Sequence, residues 1–423
     1  MSVTVSPDDL DLARYLRRGD SIVIGQACGE PTTLVEALLE QASAIGDLKV
    51  FIATSFSGLF RPERSQAIAL SSMGAIGALR AMSKANRLSV IPVHVGQVGA
   101  MIASGVIGCD VAMLQLSTPD EHGLHSCGLI ADHVRAAADR ARVVLAEVNA
   151  QVPYTAGEAI PAAEIDVAVP VARTPVEVAP AAITETDRAI AGHAAQYIRD
   201  GAVIQTGVGA IPDAILRQLT DRRDLGVHSG MLGDGLVDLI EAGVVTNARK
   251  AIDRGVSVNG ALIGTERLYR WAHRNPALRM CPGTYTHADA VLAQIEGLVS
   301  INSALEVDLT GQVNAEQSGQ SYLGGTGGQV DFVRAGARSP GGHALMVLPA
   351  TARGGTISRI TANLSGPVTT ARSEVDVIVT EFGAAELKGQ PLAERARRLC
   401  AIAHPDFRED LEREAHATCQ RGF

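Results

Sequence analysis

Short apolar runs typical of β-strands alternate with Ala- and Leu-rich helical stretches along the chain, and this alternation restricts the possible folds more than any other feature. The runs span residues 21–25, 49–53, 89–95, 111–116, 142–148, 167–172, 202–206, 256–263, 344–348 and 376–380. Strands that alternate with helices form parallel sheets, because each parallel connection needs a crossover that a helix supplies. The sequence therefore predicts an α/β fold with mainly parallel sheets and helices on both faces.

Two domains are expected from the length of the chain and from a weak internal repeat. The 423 residues exceed the roughly 250–300 that one hydrophobic core usually supports. Residues 19–31 and 200–212 share one layout, which is a strand, a glycine-containing turn and a proline at the start of a helix. Five prolines between residues 152 and 180 indicate the end of the first domain. We predict two similar open α/β/α domains, residues 1–180 and residues 181–423.

The net charge and the distribution of apolar residues restrict the partners of the chain. The formal net charge is −9, which disfavours nucleic acid because that partner requires many Lys and Arg contacts to phosphates. No apolar stretch approaches the roughly 18 residues of a membrane-spanning helix, and no signal peptide is recognisable. The six cysteines are widely spaced, which is typical of reduced thiols. We therefore expect a cytoplasmic protein that binds neither nucleic acid nor membrane.

Two glycine-rich segments are candidates for ligand binding. Residues 207–212 (GVGAIP) follow a predicted strand and open a helix, where backbone N–H groups can receive an anion. A tight βα turn explains this motif equally well, and Pro212 excludes the dinucleotide fingerprint. Residues 324–328 hold four glycines in five positions, and ordering such a loop costs conformational entropy. This cost favours a functional loop, whose N–H groups can form an oxyanion hole, over a flexible hairpin.

Polar residues also recur in the segment of residues 301–316, where apolar and polar residues alternate as in a half-buried strand. Asn302, Glu306 and Asp308 would then share one face of this strand. That face contacts either solvent or a ligand, and the sequence favours neither.

Four motifs of the second half resemble those of a known enzyme family in order and spacing. They are GVGAIP at 207–212, HSGMLGDG at 228–235, NSALEVDLTGQVN at 302–314 and GTGGQVDF at 325–332. The first half adds ACGEP at 27–31, PVHV at 92–95, TPDEHG at 118–123 and AEVN at 146–149. On these motifs the chain resembles the acetyl-CoA hydrolase and 4-hydroxybutyrate CoA-transferase family of class I CoA-transferases over nearly its whole length.

The resemblance implies that CoA binds in a cleft between the two domains, mainly to the second. The residues that match the family's CoA contacts are Gly207, Val208, Gly209, Ala210, Ile211, Asn302, Gly325, Gly328 and Arg353. The backbone N–H groups of Val208 and Gly328 would form the oxyanion hole, and Arg353 would face the CoA phosphates. The resemblance further implies an acyl-CoA substrate, no metal ion, and a homo-oligomer that is a dimer or larger.

The chain departs from the family at Gly230, where relatives usually have the glutamate that attacks the acyl-CoA thioester. Three interpretations remain open. The first is CoA transfer to a carboxylate, either through Glu147 or Glu306 as the replacement nucleophile or by direct attack of the acceptor. The second is thioester hydrolysis or acyl transfer to another acceptor, with His228 as general base and Ser229 as a positioned hydroxyl. The third is a catalytically inactive acyl-CoA-binding protein.

Of these interpretations, we favour an enzyme that acts on the thioester of a short acyl-CoA, because Asp234, Gly235 and both glycine-rich segments are present. The reaction is placed at Gly230, beside the oxyanion hole of Val208 and Gly328. The sequence then predicts that a Gly230→Glu substitution raises CoA-transferase activity.

Overall fold

The first part of the chain forms an eight-stranded parallel sheet. The computed structural model describes residues 3–319 and 321–420. Its first ten strands are β1 (Val3–Thr4), β2 (Ser21–Ile24), β3 (Leu48–Phe51), β4 (Ile68–Ser72), β5 (Ser89–Val90), β6 (Val111–Leu116), β7 (Leu124–Ser126), β8 (Val143–Asn149), β9 (Ala159–Pro161) and β10 (Val167–Val171). The sheet has the strand order β1-β10-β8-β6-β2-β3-β4-β5, whereas β7 and β9 pair with each other in antiparallel fashion.

The second part of the chain forms another eight-stranded sheet and three small ones. Its strands are β11 (Val203–Thr206), β12 (Gly226–Leu232), β13 (Ser257–Leu262), β14 (Leu278–Met280), β15 (Leu298–Ser303), β16 (Glu306–Asp308), β17 (Val313–Asn314), β18 (Gln317–Ser318), β19 (Ser321–Tyr322), β20 (His343–Val347), β21 (Thr351–Ala352), β22 (Ile357–Ser358), β23 (Ile360–Thr361), β24 (Val377–Thr380) and β25 (Gly383–Glu386). The large sheet has the order β14-β13-β12-β11-β15-β20-β24-β25. It is parallel except for the edge strand β25.

Helices connect most of these strands. The α-helices of the described residues are α1 (Thr32–Ile45), α2 (Leu79–Lys84), α3 (Val95–Ala103), α4 (Val134–Arg140), α5 (Glu185–Ala194), α6 (Ala210–Arg217), α7 (Asp234–Glu241), α8 (Glu266–Ala272), α9 (Gly283–Thr286), α10 (Asp289–Leu292), α11 (Gln329–Arg338), α12 (Leu392–Ile402) and α13 (Pro405–Gln420). Short 3-10 helices span Pro7–Asp9, Leu12–Arg14, Ala162–Glu164 and Ala195–Tyr197. None of the helices in this described part of the chain is long and apolar enough to cross a membrane.

Both large sheets are wound in the same way. In the first, the chain runs outward from β2 through β3, β4 and β5, and then returns to β6 on the other side of β2. In the second, it runs from β11 through β12, β13 and β14, and then returns to β15 on the other side of β11. The predicted α/β fold with mainly parallel sheets is confirmed. Open sheets of this kind bind ligands outside the carboxyl ends of the strands, where the strand order reverses.

Apolar packing joins the two sheets into one molecule. Every residue of β6 is buried, as expected for a parallel strand covered on both faces. One cluster of buried residues includes Val23 of β2 and Val227 of β12, so the two sheets share a core. A backbone contact adds to this packing, because the Ala131 N–H donates to the Gly260 carbonyl of β13 at 2.8 Å.

The segment of residues 301–316 is not one strand, and the prediction of a single polar face is wrong. The chain leaves β15 after Ser303, and β16 belongs to a separate three-stranded sheet. The Asp308 carboxylate accepts hydrogen bonds from the backbone N–H groups of Thr310 and Gln312, which holds the turn into β17. Asp308 therefore stabilises a turn rather than contacting a ligand beside Asn302.

The predicted strand at residues 89–95 is also mostly wrong. Only Ser89 and Val90 form a strand of the sheet, and helix α3 begins at Val95. Pro92 interrupts the run, and proline lacks the N–H that a strand needs for pairing.

Candidate active site

A cavity of about 190 Å³ lies between the two sheets, at the carboxyl ends of their strands. Segments that follow β2, β3 and β4 contribute Gln26, Thr54, Phe56, Met73 and Ile76. The second half contributes Gly207, Val208, Gly230, Met231 and Phe332. The cavity therefore occupies the position where the topology of both sheets predicts a ligand.

Two amide side chains line the cavity where the strand order of the second sheet reverses. Gln205 of β11 and Asn302 of β15 lie side by side. The Asn302 Nδ2 donates to Gln205 Oε1 at 3.0 Å, and the Gln205 Nε2 donates to Asn302 Oδ1 at 3.4 Å. Because each amide orients the other, the pair presents a fixed polar surface to a ligand. Asn302 thus lies in the cavity, as the family resemblance implies.

The glycine-rich loop of residues 324–328 bridges the two halves of the molecule. The Ala75 N–H donates to the Gly324 carbonyl at 2.8 Å, and the Val95 N–H donates to the Gly327 carbonyl at 3.0 Å. A Cβ atom on Gly325 would lie only 2.7 Å from the Met73 carbonyl oxygen, so this close approach requires glycine. The loop is an ordered wall of the cavity rather than a free hairpin.

Two backbone N–H groups on the cavity wall are available to a ligand. Val208 and Gly328 both line the cavity, and neither N–H has an acceptor among the described residues. Val208 is 37% exposed, so its N–H lies where the cavity meets solvent. Paired N–H groups of this kind can stabilise the oxyanion that forms when a thioester carbonyl is attacked.

An imidazole occupies the space in front of Gly230. A Cβ atom on residue 230 would lie 2.9 Å from Nε2 of His287 and 3.7 Å from Cε2 of Phe332. The His287 and Phe332 rings pack edge to face, with centroids 4.7 Å apart. Burial, followed by the nearby His228, lowers the pKa of His287 to about 3, so this imidazole is neutral near pH 7. A side chain at position 230 therefore requires His287 to move.

His228 and Ser229, the predicted base and hydroxyl, are fully buried in β12 and do not line the cavity. The His228 Nε2 lies 3.1 Å from the Thr286 carbonyl oxygen, and burial lowers the pKa of His228 to about 4. The Ser229 hydroxyl donates to the Thr206 carbonyl at 3.1 Å. These contacts join β12 to its neighbours, and a catalytic role for either residue stays a prediction that the geometry does not favour.

Glu147 and Glu306, the predicted replacement carboxylates, also lie outside the cavity lining. Glu147 is fully buried, and its Oε2 accepts a hydrogen bond from the Thr33 N–H at 2.7 Å at the start of α1. Glu306 accepts hydrogen bonds from the Ser365 N–H at 2.7 Å and the Gly366 N–H at 3.1 Å. Both carboxylates hold backbone segments in place.

The carboxylate that does line the cavity is Asp132, which no sequence motif indicated. Its Oδ2 accepts a hydrogen bond from the Gln26 Nε2 at 2.5 Å. Its Oδ1 lies over Gly260, where it has no hydrogen-bond partner among the described residues. Burial raises the pKa of Asp132 to about 7. Asp132 lies in an unremarkable Ala-Asp-His sequence, so only the contact between the two halves reveals its position.

The remaining predicted CoA contacts do not line the cavity. Gly209 precedes helix α6, whose first two residues are Ala210 and Ile211. Arg353 is exposed in the turn between β21 and β22, and no described acid forms an ion pair with it. Their contacts with CoA stay predictions. Among the described residues, no group of three or more His, Cys, Asp or Glu side chains is arranged to hold a metal ion.

Comparisons with known proteins cover almost the whole chain. Models of the acetyl-CoA hydrolase/transferase N-terminal and C-terminal domains match residues 7–180 and 264–415. The chain is 38% identical over 403 residues to a 4-hydroxybutyrate coenzyme A transferase of Clostridium kluyveri, covering 93% of each protein. It superposes on the crystal structure of RipA from Yersinia pestis with a TM-score of 0.92 and 35% identity, covering 98% of this chain and 97% of that one. A 4-hydroxybutyrate CoA-transferase from Porphyromonas gingivalis gives a TM-score of 0.84 at 34% identity, covering 98% of each.

The fold, the cavity and these matches define an α/β enzyme of the CoA-transferase class. The chain belongs to the acetyl-CoA hydrolase/transferase family. An acyl-CoA is accordingly its substrate, and the predictions of the family and of enzymatic activity are confirmed.

Proposed function

We propose that the protein hydrolyses the thioester of a short acyl-CoA in the cavity between its two sheets. The family carries out CoA transfer or acetyl-CoA hydrolysis. The observation that favours hydrolysis is the filled space at position 230, where His287 and Phe332 occupy the place of a longer side chain. Without a carboxylate there, no mixed anhydride with the enzyme forms, and water is the simplest nucleophile.

The size and chemistry of the cavity support a short acyl group. Its volume of about 190 Å³ lies below the roughly 300 Å³ at which sites for drug-sized ligands begin. Apolar side chains form much of its wall, among them Phe56, Met73, Ile76 and Met231. The cavity therefore suits the acyl end of the substrate, while the CoA moiety extends toward the exposed Val208 and the β21–β22 turn.

The unpartnered N–H groups of Val208 and Gly328 support attack on the thioester carbonyl. Two preorganised donors in a site shielded from water stabilise the tetrahedral oxyanion more than they stabilise the neutral thioester. This arrangement serves hydrolysis and direct transfer alike, because attack by water and attack by a carboxylate each place an oxyanion on the former thioester carbonyl oxygen.

CoA transfer to a carboxylate by direct attack on the bound thioester is the second candidate. It is favoured by the relative that is a 4-hydroxybutyrate coenzyme A transferase, which is 38% identical over 93% of this chain. Acyl transfer to a non-carboxylate acceptor and binding without catalysis are less favoured, since no described feature of the cavity selects for them.

The products formed from acetyl-, propionyl- and butyryl-CoA distinguish these candidates. We expect the purified protein to release free CoA thiol without any acceptor, as measured with a thiol reagent against a protein-free control. Exchange that requires acetate and releases no thiol would replace hydrolysis by transfer. If the protein binds acyl-CoA by calorimetry but shows neither thiol release nor exchange, it is a binding protein rather than an enzyme.

A further inference from the structure

The imidazole of His287 faces the cavity between the two positions that matter most for thioester chemistry. Its Nε2 lies 2.9 Å from the place of a Cβ on Gly230, and closer still to the place of a Cβ on Gly328. One position is that of the missing nucleophile, and the other belongs to the proposed oxyanion hole. Both glycines are therefore required by the presence of this ring.

The hydrogen bonds of the ring determine which nitrogen carries the proton. The Nδ1 lies 2.8 Å from Oγ1 of Thr286. That hydroxyl also donates to the Pro282 carbonyl at 3.4 Å, which leaves it an acceptor for Nδ1–H. These contacts favour the tautomer with the proton on Nδ1, in which the lone pair of Nε2 faces the cavity without a partner among the described residues.

The burial of the other titratable side chain in the described lining restricts the choice of base. In the described lining, the remaining such group is Asp132. Its Oδ2 accepts the hydrogen bond from Gln26, whereas its unpartnered Oδ1 is fully buried over Gly260, where solvent does not reach it. Arg135 lines an adjoining cavity that shares Asp132 with this one, but Arg135 does not line the cavity between the two sheets. Of the titratable side chains in the described lining, His287 is therefore the one whose hydrogen-bond-free basic atom faces the cavity.

We propose that His287 Nε2 is the general base that activates water for thioester hydrolysis, an inference that rests on the proposed function. The water oxygen bonds to the thioester carbon while Nε2 takes one water proton. The resulting oxyanion is held by the N–H groups of Val208 and Gly328. When the carbon–sulfur bond breaks, its electron pair goes to sulfur, and the imidazolium returns the proton to give the CoA thiol. The carboxylic acid formed loses its own proton to solvent.

The buried setting of His287 suits this step because the charge exists only briefly. Burial keeps the imidazole neutral in the resting enzyme, although the lowered pKa also makes it a weaker base, so the proton transfer depends on stabilisation of the charges that form. The imidazolium then forms beside the oxyanion, and opposite charges attract strongly where water is excluded. The same environment drives the proton back to the leaving thiolate.

The test is a comparison of His287→Asn and His287→Ala with His122→Asn, an exposed histidine outside the cavity. We expect kcat for thiol release to fall about 100- to 10,000-fold in both His287 variants, with KM within about threefold of the parent value. His122→Asn should match the parent. Added imidazole should restore part of the activity of His287→Ala, because the substitution opens space beside Gly230. A purely structural residue would not respond to imidazole.

The outcomes separate this inference from the proposed function. If the parent protein releases thiol and folded His287→Asn retains kcat within about threefold, His287 is not the base although hydrolysis stands. An acyl adduct on His287 in acid-quenched mass spectra would make it a nucleophile and overturn general-base catalysis. If the parent releases no thiol at all, the proposed function fails, and the role of His287 fails with it.

Discussion

Two residues distant in sequence, Gly230 and His287, meet in the lining of the cavity. Gly230 is recognisable from its motif, because the surrounding residues match a family pattern. His287 follows a short helix with no motif of its own, and only the folded chain brings its ring to within 2.9 Å of the Cβ position of residue 230. The sequence therefore predicts which group is absent at this position, but it does not predict which group takes its place.

The expectation that Gly230→Glu alone raises CoA transfer must be revised in view of this contact. A glutamate at position 230 would meet His287 and Phe332, and overpacking of this kind usually costs about 1–3 kcal/mol. We expect little gain from the single variant. Combining Gly230→Glu with His287→Asn should provide both the carboxylate and the space, and raise acetate-dependent CoA exchange at least about tenfold over either single variant.

Exchange of CoA between butyryl-CoA and labelled acetate measures this effect, with His287→Asn alone as the matched control. Equal exchange by Gly230→Glu and the double variant would mean that His287 moves aside easily. No exchange by a folded double variant that binds CoA would show that position 230 does not match the family's nucleophile.

At the scale of elements, apolar runs predicted the central strands well and the short ones poorly. Strands β6 and β24 are apolar apart from Gln115 and Thr380, so their burial can be predicted from the local sequence. The β12 strand contains His, Ser and Gly, and is buried only because β11 and β13 flank it. The two- and three-residue strands depend on pairing between distant segments, which leaves no local pattern.

The buried carboxyl group of Asp132, which packs against β13, makes the stability of the fold depend on pH. Burial raises the pKa of Asp132 from its ordinary value of 3.8 to about 7. A carboxyl group with a raised pKa in the folded state stabilises the fold most at low pH, and this contribution is lost as the pH rises through about 7. Asp132→Asn, which mimics the protonated group, should therefore gain stability over the parent between about pH 4 and 7, by up to about 4 kcal/mol.

Free energies of unfolding from denaturant titrations at pH 4, 5.5, 7 and 8.5 test this effect. Asp8→Asn, at an exposed position, is the control and should follow the parent. Parallel curves for Asp132→Asn and the parent would mean that Asp132 is ionised in the folded state.

At the scale of the whole molecule, the cavity exists because two similarly wound sheets present their carboxyl ends to each other. The topological rule for open sheets and the family resemblance both place a ligand there, so the general location of the site could be predicted. The presence of Asp132 and Gln26 in the wall could not be predicted from the sequence, because their contact joins positions far apart in the chain. The domain limits at residue 180 and the homo-oligomer stay predictions.

The most direct test is a crystal structure with an acyl-CoA analogue in which a methylene group replaces the thioester sulfur. The analogue is then a ketone, which water cannot cleave. We expect its carbonyl oxygen to lie within hydrogen-bond distance of the Val208 and Gly328 N–H groups. We expect its carbonyl carbon to face His287 Nε2, with space for one water molecule between the two atoms. An analogue bound with its carbonyl outside the cavity, or with His287 displaced from Gly230, would contradict hydrolysis at this site.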